Sequence, residues 1–105
     1  MKPSDVLRKA TEKIATPDKW TRGTFARTAN GLACSSCDDA AHAFCLLGAI
    51  ISASPLCNTE PSQQYVFRVI SDDDITHWND ATGRTHIEVL AALTKAADLA
   101  ESEGH

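Results

Sequence analysis

The chain has 105 residues, 43% hydrophobic and 6% aromatic, and carries a formal net charge of −4. That is the size of one domain, residues 1–105, with a small core. The acidic balance speaks against general nucleic-acid binding, which draws on a basic surplus. Alanine supplies much of the apolar content and β-branched residues little, a mixture that favours packed helices over a sheet. The charge is unevenly spread. Residues 1–34 hold seven Lys/Arg and three Asp/Glu, and residues 35–105 hold three and eleven. The simplest arrangement is a basic first helix lying over an acidic remainder.

Ser4 reads as an N-cap, and Val6, Leu7, Ala10 and Ile14 recur at helical spacing, so a first helix is predicted over 5–15. Pro17 ends it, because the residue before a proline is pushed out of the helical region. Residues 19–33 have no clean period. The Asn30-Gly31 pair is a strong turn signal, so an irregular loop is expected, with Trp20 and Phe25 plugging it onto the core and a short hairpin-like excursion allowed.

Ser36 and Asp39 resemble a capping box ahead of a long apolar run, which predicts a second helix over 38–53, ended by Pro55. Its stretch 43–51 is apolar all round, the mark of a helix buried on most sides. Thr59 or Glu60 caps a third helix over 61–70, with Tyr65, Val66, Val69 and Ile70 as its stripe. Asp74 to Trp78 can add one short turn. Thr85 and Glu88 form a T-x-x-E capping box after Gly83, opening a last helix over 86–102, with residues 103–105 expected to fray. The predicted fold class is therefore all-α: a compact bundle of about four helices with a buried central second helix and an irregular loop after helix 1.

No apolar leader is visible at the start, and the run 43–51 is too short to span a bilayer. A cytoplasmic protein with no membrane span and four reduced cysteines is expected.

Cys34-Ser-Ser-Cys37, with His42, Cys45 and Cys57 following, has the wrong spacing for a structural zinc site, which wants a second close pair. No strand is evident before it to make a thioredoxin-like site. The run Asp72-Asp73-Asp74 fails as a calcium loop. His42, His77, His86 and His105 include no metalloprotease pair, although His77 and His86 flank the Trp78 loop and could meet in space. No metal and no cofactor are expected.

The stretch Trp78 to Leu90, "WNDATGRTHIEVL", has a structural reading that needs no ligand. Trp78 anchors the short helix, Asn79 takes a left-handed C-cap, Asp80 accepts backbone N–H groups or pairs with Arg84, and Thr85 caps the last helix. Its sharper reading joins it to the Trp20 loop. Trp20, Arg22, Arg27, Trp78, Asn79, Asp80, Arg84 and Thr85 would then line a small-molecule or anion site, helped by the positive end of the last helix. Asp80 with His77 or His86 could supply acid–base chemistry there.

These same residues carry a resemblance. Trp78-Asn79-Asp80, Arg84-Thr85 and Val89-Leu90 follow a W-N-D…R-T…V-L pattern. Trp20, Gly23, Ala26 and Arg27 follow W-x-x-G-x-x-A-R, and Phe44, Cys45, Gly48 and Ala49 follow F-C-x-x-G-A. Together they resemble a family of short bacterial and phage proteins known as a domain of unknown function. Cys34, Cys37 and Cys57 lie outside the pattern. The resemblance implies no activity.

The function expected first is a small helical binding or assembly module without catalysis, with a protein partner or a second copy of itself. The alternative is the ligand site between the Trp20 loop and the Trp78–Thr85 turn. Binding of nucleic acid by Arg8, Lys9, Lys13, Lys19 and Arg22 is the weakest reading.

Overall fold

Pro3 opens the first helix in the computed structural model, which describes residues 1–55 and 60–105. α1 spans Pro3–Lys13, with the proline in its first turn, where a missing N–H costs nothing. Ser4 is not the N-cap. It sits inside the first turn, where its N–H and its hydroxyl donate to the His105 carbonyl at 3.2 and 2.9 Å. Val6, Leu7 and Ala10, with Ile14 just past the helix, are buried. A single 3₁₀ turn, Pro17–Lys19, follows.

The all-α expectation fails in the next stretch. β1 (Ala26–Thr28), β2 (Ala33–Cys34) and β3 (Ala41–Phe44) form an antiparallel sheet in the order β2-β1-β3. The Asn30-Gly31 turn joins β1 to β2 as a hairpin. Gly31 has φ +85°, and the Thr28 and Leu32 backbones close the turn at 2.8 Å. β3 pairs on the other side of β1, placing Ala26 opposite Phe44 and Arg27 opposite Ala43, with a register shift between Arg27 and Thr28. Residues 41–44 were expected to be helical. Alanine's helix propensity is a weak preference, and the open edge of β1 offers these residues a ladder that overrides it.

The second helix is correspondingly short, but it is buried on most sides as expected, with no exposed residue between Leu46 and Ala53. α2 runs Leu46–Ala53, and Cys45 is its N-cap, its Sγ accepting from the Gly48 N–H at 3.2 Å. The presumed capping pair, Ser36 and Asp39, lies ahead of β3 and caps no helix, and its neighbours Asp38 and Ser35 shape the turns there. Asp38 Oδ1 accepts from Ala40 N–H at 2.8 Å, and Ser35 Oγ accepts from Cys37 N–H at 3.2 Å.

α3 (Glu60–Ile70) begins one residue before its predicted start, so Glu60 belongs to the helix, while Thr59 lies outside the described residues. α4 (Ile75–Asp80) starts at Asp74, whose carboxylate accepts from His77 N–H at 3.1 Å. α5 (His86–Ser102) has the predicted bounds and the predicted capping box.

α1 packs against α5, α2 and α3, so it takes the central place expected of the second helix. Leu7, Ile14, Leu46, Ile50, Val66, Val89 and Leu93 are the large side chains fully enclosed between these helices. The basic-over-acidic arrangement holds at Arg8, which bridges to Asp98 at 2.8 Å and Glu101 at 2.6 Å on α5. Residues 103–105 do not fray. His105 N–H donates to Ala100 O at 2.8 Å, and its ring meets the Tyr65 hydroxyl. No helix among the described residues is long and apolar enough to cross a membrane.

Gly48 marks where helix and sheet approach most closely. A Cβ there would lie 2.0 Å from the Phe25 carbonyl oxygen, itself the acceptor of the Cys45 N–H at 3.1 Å. In an exposed helix Gly→Ala stabilises by about 1 kcal/mol. Here Gly48→Ala is expected to destabilise by about 1–3 kcal/mol through forced backbone movement, with urea denaturation giving the sign.

Candidate functional site

Asn79 is the first residue to place, because it is wholly buried on a six-residue helix. Its Oδ1 accepts from Trp20 Nε1 at 2.7 Å and from the Leu46 N–H at 3.0 Å. Its Nδ2 donates to Thr21 O at 3.2 Å and to Asp80 Oδ1 at 2.9 Å. An amide side chain has two acceptor sites and two donors, so Asn79 is fully satisfied. It lies within α4 and is not the left-handed C-cap expected; the C-cap is Ala81, whose φ of −57° is not left-handed.

The Trp20 loop folds onto this amide. Asp80 Oδ1 accepts the Gly23 N–H at 3.0 Å. Arg22 Nη2 donates to the carbonyls of Asp80 and Ala81 at 2.7 and 2.6 Å, a cation on the open C-terminal end of α4. Arg27 holds the loop to itself through Thr21 Oγ1 at 2.9 Å, Gly31 O at 3.1 Å and Arg22 O at 3.2 Å. Trp20 also packs its ring against His86, with centroids 6.2 Å apart.

Trp78, Arg84 and Thr85 belong to a different face. The Arg84 guanidinium stacks 3.8 Å from the Trp78 ring centre, with Nε donating to Trp78 O and Nη1 to Glu88, both at 2.9 Å. Arg84 thus pairs with Glu88 and not with Asp80. Thr85 N–H donates to Glu88 Oε1 at 3.0 Å, and Glu88 N–H donates back to Thr85 Oγ1 at 3.3 Å. Of the eight residues expected to share a site, five form the clamp around Asn79, and three form the turn that starts α5.

One cleft opens beside the clamp. It measures about 200 Å³ and is lined by Gly23, Thr24, Phe25, Cys45, Thr76 and Asp80. Among the described residues Asp80 Oδ2 accepts no hydrogen bond, and Asp80 is exposed. Burial pushes the Cys45 thiol up, so it faces the cleft as a neutral thiol and not a thiolate. Thr24 and Thr76 carried no sequence signal, because isolated threonines in loops and first turns are ordinary.

The histidines do not join this site. His77 pairs with Asp72 at 3.1 Å, and His86 Nε2 lies 2.6 Å from Ile14 O. Cys37 is disulfide-bonded, which overturns the expectation of four reduced thiols, while Cys34 and Cys45 are free. Cys57 lies outside the described residues. Among the described residues no group of three or more His, Cys, Asp or Glu could hold a metal ion.

The clamp and turn are built from the residues that carried the resemblance, and the family is now shown. A profile described as a family of unknown function, DUF6197, matches residues 1–99, and the chain belongs to that family. No curated protein and no solved structure matches the chain.

Two outcomes test this arrangement. Asn79→Ala strands the Trp20 and Leu46 donors, and the unpaired buried donors are expected to cost about 3 kcal/mol in urea denaturation, with a change in Trp20 fluorescence. Glu88 is held below the usual carboxylate range, first by the Thr85 backbone N–H and then by the Thr85 hydroxyl. A depressed folded value stabilises above the unfolded value of about 4.3 and is lost as pH falls through the folded one. The stability difference between the wild type and Glu88→Gln should therefore be present at neutral pH and vanish in acid.

Proposed function

We propose that the protein is a non-catalytic binding module whose recognition element is the cleft beside the Asn79 clamp. The ligand it suits is a compact cation or hydrogen-bond donor, such as a guanidinium or amine on a small molecule or on a partner's side chain. One observation carries this reading: the cleft is lined by Asp80, whose Oδ2 has no partner among the described residues, together with the hydroxyl-bearing Thr24 and Thr76.

A volume of about 200 Å³ holds only a small group. The arginines that suggested an anion all donate within the chain, Arg22 and Arg27 to the loop and α4, Arg84 to Trp78 and Glu88. Glu88 occupies the start of α5, where an anion would otherwise sit. Binding without catalysis fits the same geometry. The histidines that could have worked with Asp80 are engaged with Asp72 and with the Ile14 carbonyl.

Methylguanidinium is the probe. Titration followed by backbone amide shifts should perturb Gly23, Thr24 and Thr76 with a Kd in the millimolar range, about −4 kcal/mol. Asp80→Asn keeps an oxygen for the Gly23 N–H and should weaken binding at least about tenfold, a difference of roughly 1.4 kcal/mol. Shifts spread over the acidic surface, or unchanged by Asp80→Asn, would show that the cleft is not the site.

A further inference from the structure

The outward face of α5, with the turn before it, carries a charge pattern that is complementary to itself. Glu88, Ala91, Lys95 and Asp98 recur at spacings of three, four and three along one stripe of α5, and Arg84 stands in the turn just before it, four residues from Glu88. From Arg84 onward their signs run plus, minus, neutral, plus, minus. Read backwards, every charge changes sign. Two copies of the stripe laid parallel therefore set like charge on like, whereas antiparallel copies crossing at Ala91 set Arg84 against Asp98 and Glu88 against Lys95, twice over. We infer that α5 is a self-complementary docking surface, and that the chain pairs with a second copy of itself through an antiparallel α5–α5 contact.

The surface is shaped for it. A groove of about 250 Å³ runs beside the stripe, walled by Val69, Ile70 and Trp78, with Ala91 exposed on its floor and Glu88 and Lys95 on its rim. Alanine at the crossing lets two helix axes come within about 8 Å. The helical residues from 86 to 98 give a contact about 20 Å long. Ile87, 77% exposed, flanks the stripe one turn before Ala91, where a second helix would cover it.

The charges have room for further partners, and Arg84 spends only Nε and Nη1 within the chain, which leaves the Nη2 donors. Lys95 has no ion-pair or hydrogen-bond partner among the described residues. Glu88 already serves Thr85 and Arg84, but a carboxylate has room for a further donor. Asp98, bridged to Arg8, can accept Arg84 of the second copy in the same way.

This inference is independent of the cleft, which lies beside Thr24 and Asp80. Sedimentation equilibrium of the full chain should show a monomer–dimer equilibrium with a Kd of about 10–100 μM, weakening as salt is raised. Lys95→Glu places Glu opposite Glu88, and Ala91→Arg blocks the crossing. Each substitutes an exposed position and should raise the Kd at least about tenfold with an unchanged circular dichroism spectrum. Mixing Lys95→Glu with Glu88→Lys restores both pairings and should recover the dimer that neither variant forms alone. A strict monomer at high concentration, or a dimer indifferent to Lys95→Glu and Ala91→Arg, overturns the inference; the first result would leave the face to a different protein. Should Glu88→Lys fail to fold for want of its cap, the Lys95→Glu and Ala91→Arg measurements decide the matter alone.

Discussion

One buried amide joins parts of the chain that nothing local would bring together. Asn79 reaches back 59 residues to the Trp20 ring and 33 residues to the first backbone N–H of α2. In a low-dielectric interior such bonds are strong when complete and costly when broken. The Trp20 loop has little apolar area of its own, so its position depends on this polar closure. The sheet depends on it in turn, because Thr21 N–H donates to Phe44 O at 3.0 Å and Trp20 bridges to Phe44.

Three consecutive residues of α4 divide the labour by direction. Successive helical residues point about 100° apart. Trp78 therefore faces the groove between α3 and α5, Asn79 faces the core, and Asp80 faces the cleft beside Thr24. A short helix with one turn of sequence serves two surfaces and the fold at once. That is a physical reason for W-N-D to behave as a unit. Shifting any of the three by one position would turn all of them by the same 100° and disconnect each from its partner.

Much of the helical skeleton was legible because its determinants are local. Thr85 and Glu88 bond to one another across three residues, and α5 has the expected bounds. The sheet was legible only at its Asn30-Gly31 hairpin turn, and β3 was not, because its determinants are distant. Ala41 and Ala43 read as helix formers until the free edge of β1 is known to lie beside them. Cys45 read as a buried thiol, which it is, but its second role as the cap of α2 follows from where β3 ends. In the candidate site, the convergence of the Trp20 loop on the Trp78 turn was visible from the turn residues and clustered polar groups. Which atoms meet was not. Sequence spacing cannot show that Arg84 chooses Glu88 over Asp80, or that Arg22 chooses carbonyls over a ligand.

The clasp between Ser4 and His105 has a topological meaning. Ser4 and His105 are joined by two hydrogen bonds, and His105 is held further by Ala100 and the Tyr65 hydroxyl. Between those two residues the polypeptide is a ring closed without a covalent link. Bringing distant positions together costs chain entropy that grows only slowly with length, so a ring of this size is closed at little more expense than a long loop. The connectivity is then nearly cyclic, and the place where the ring is cut becomes a matter of choice. Ends opened at the exposed Asn30-Gly31 turn, with Ser4 and His105 tied by a short peptide, would leave α1 and α5 zipped along their length and the four hydrogen bonds of Asn79 in place, touching the clamp only where Arg27 meets the Gly31 carbonyl.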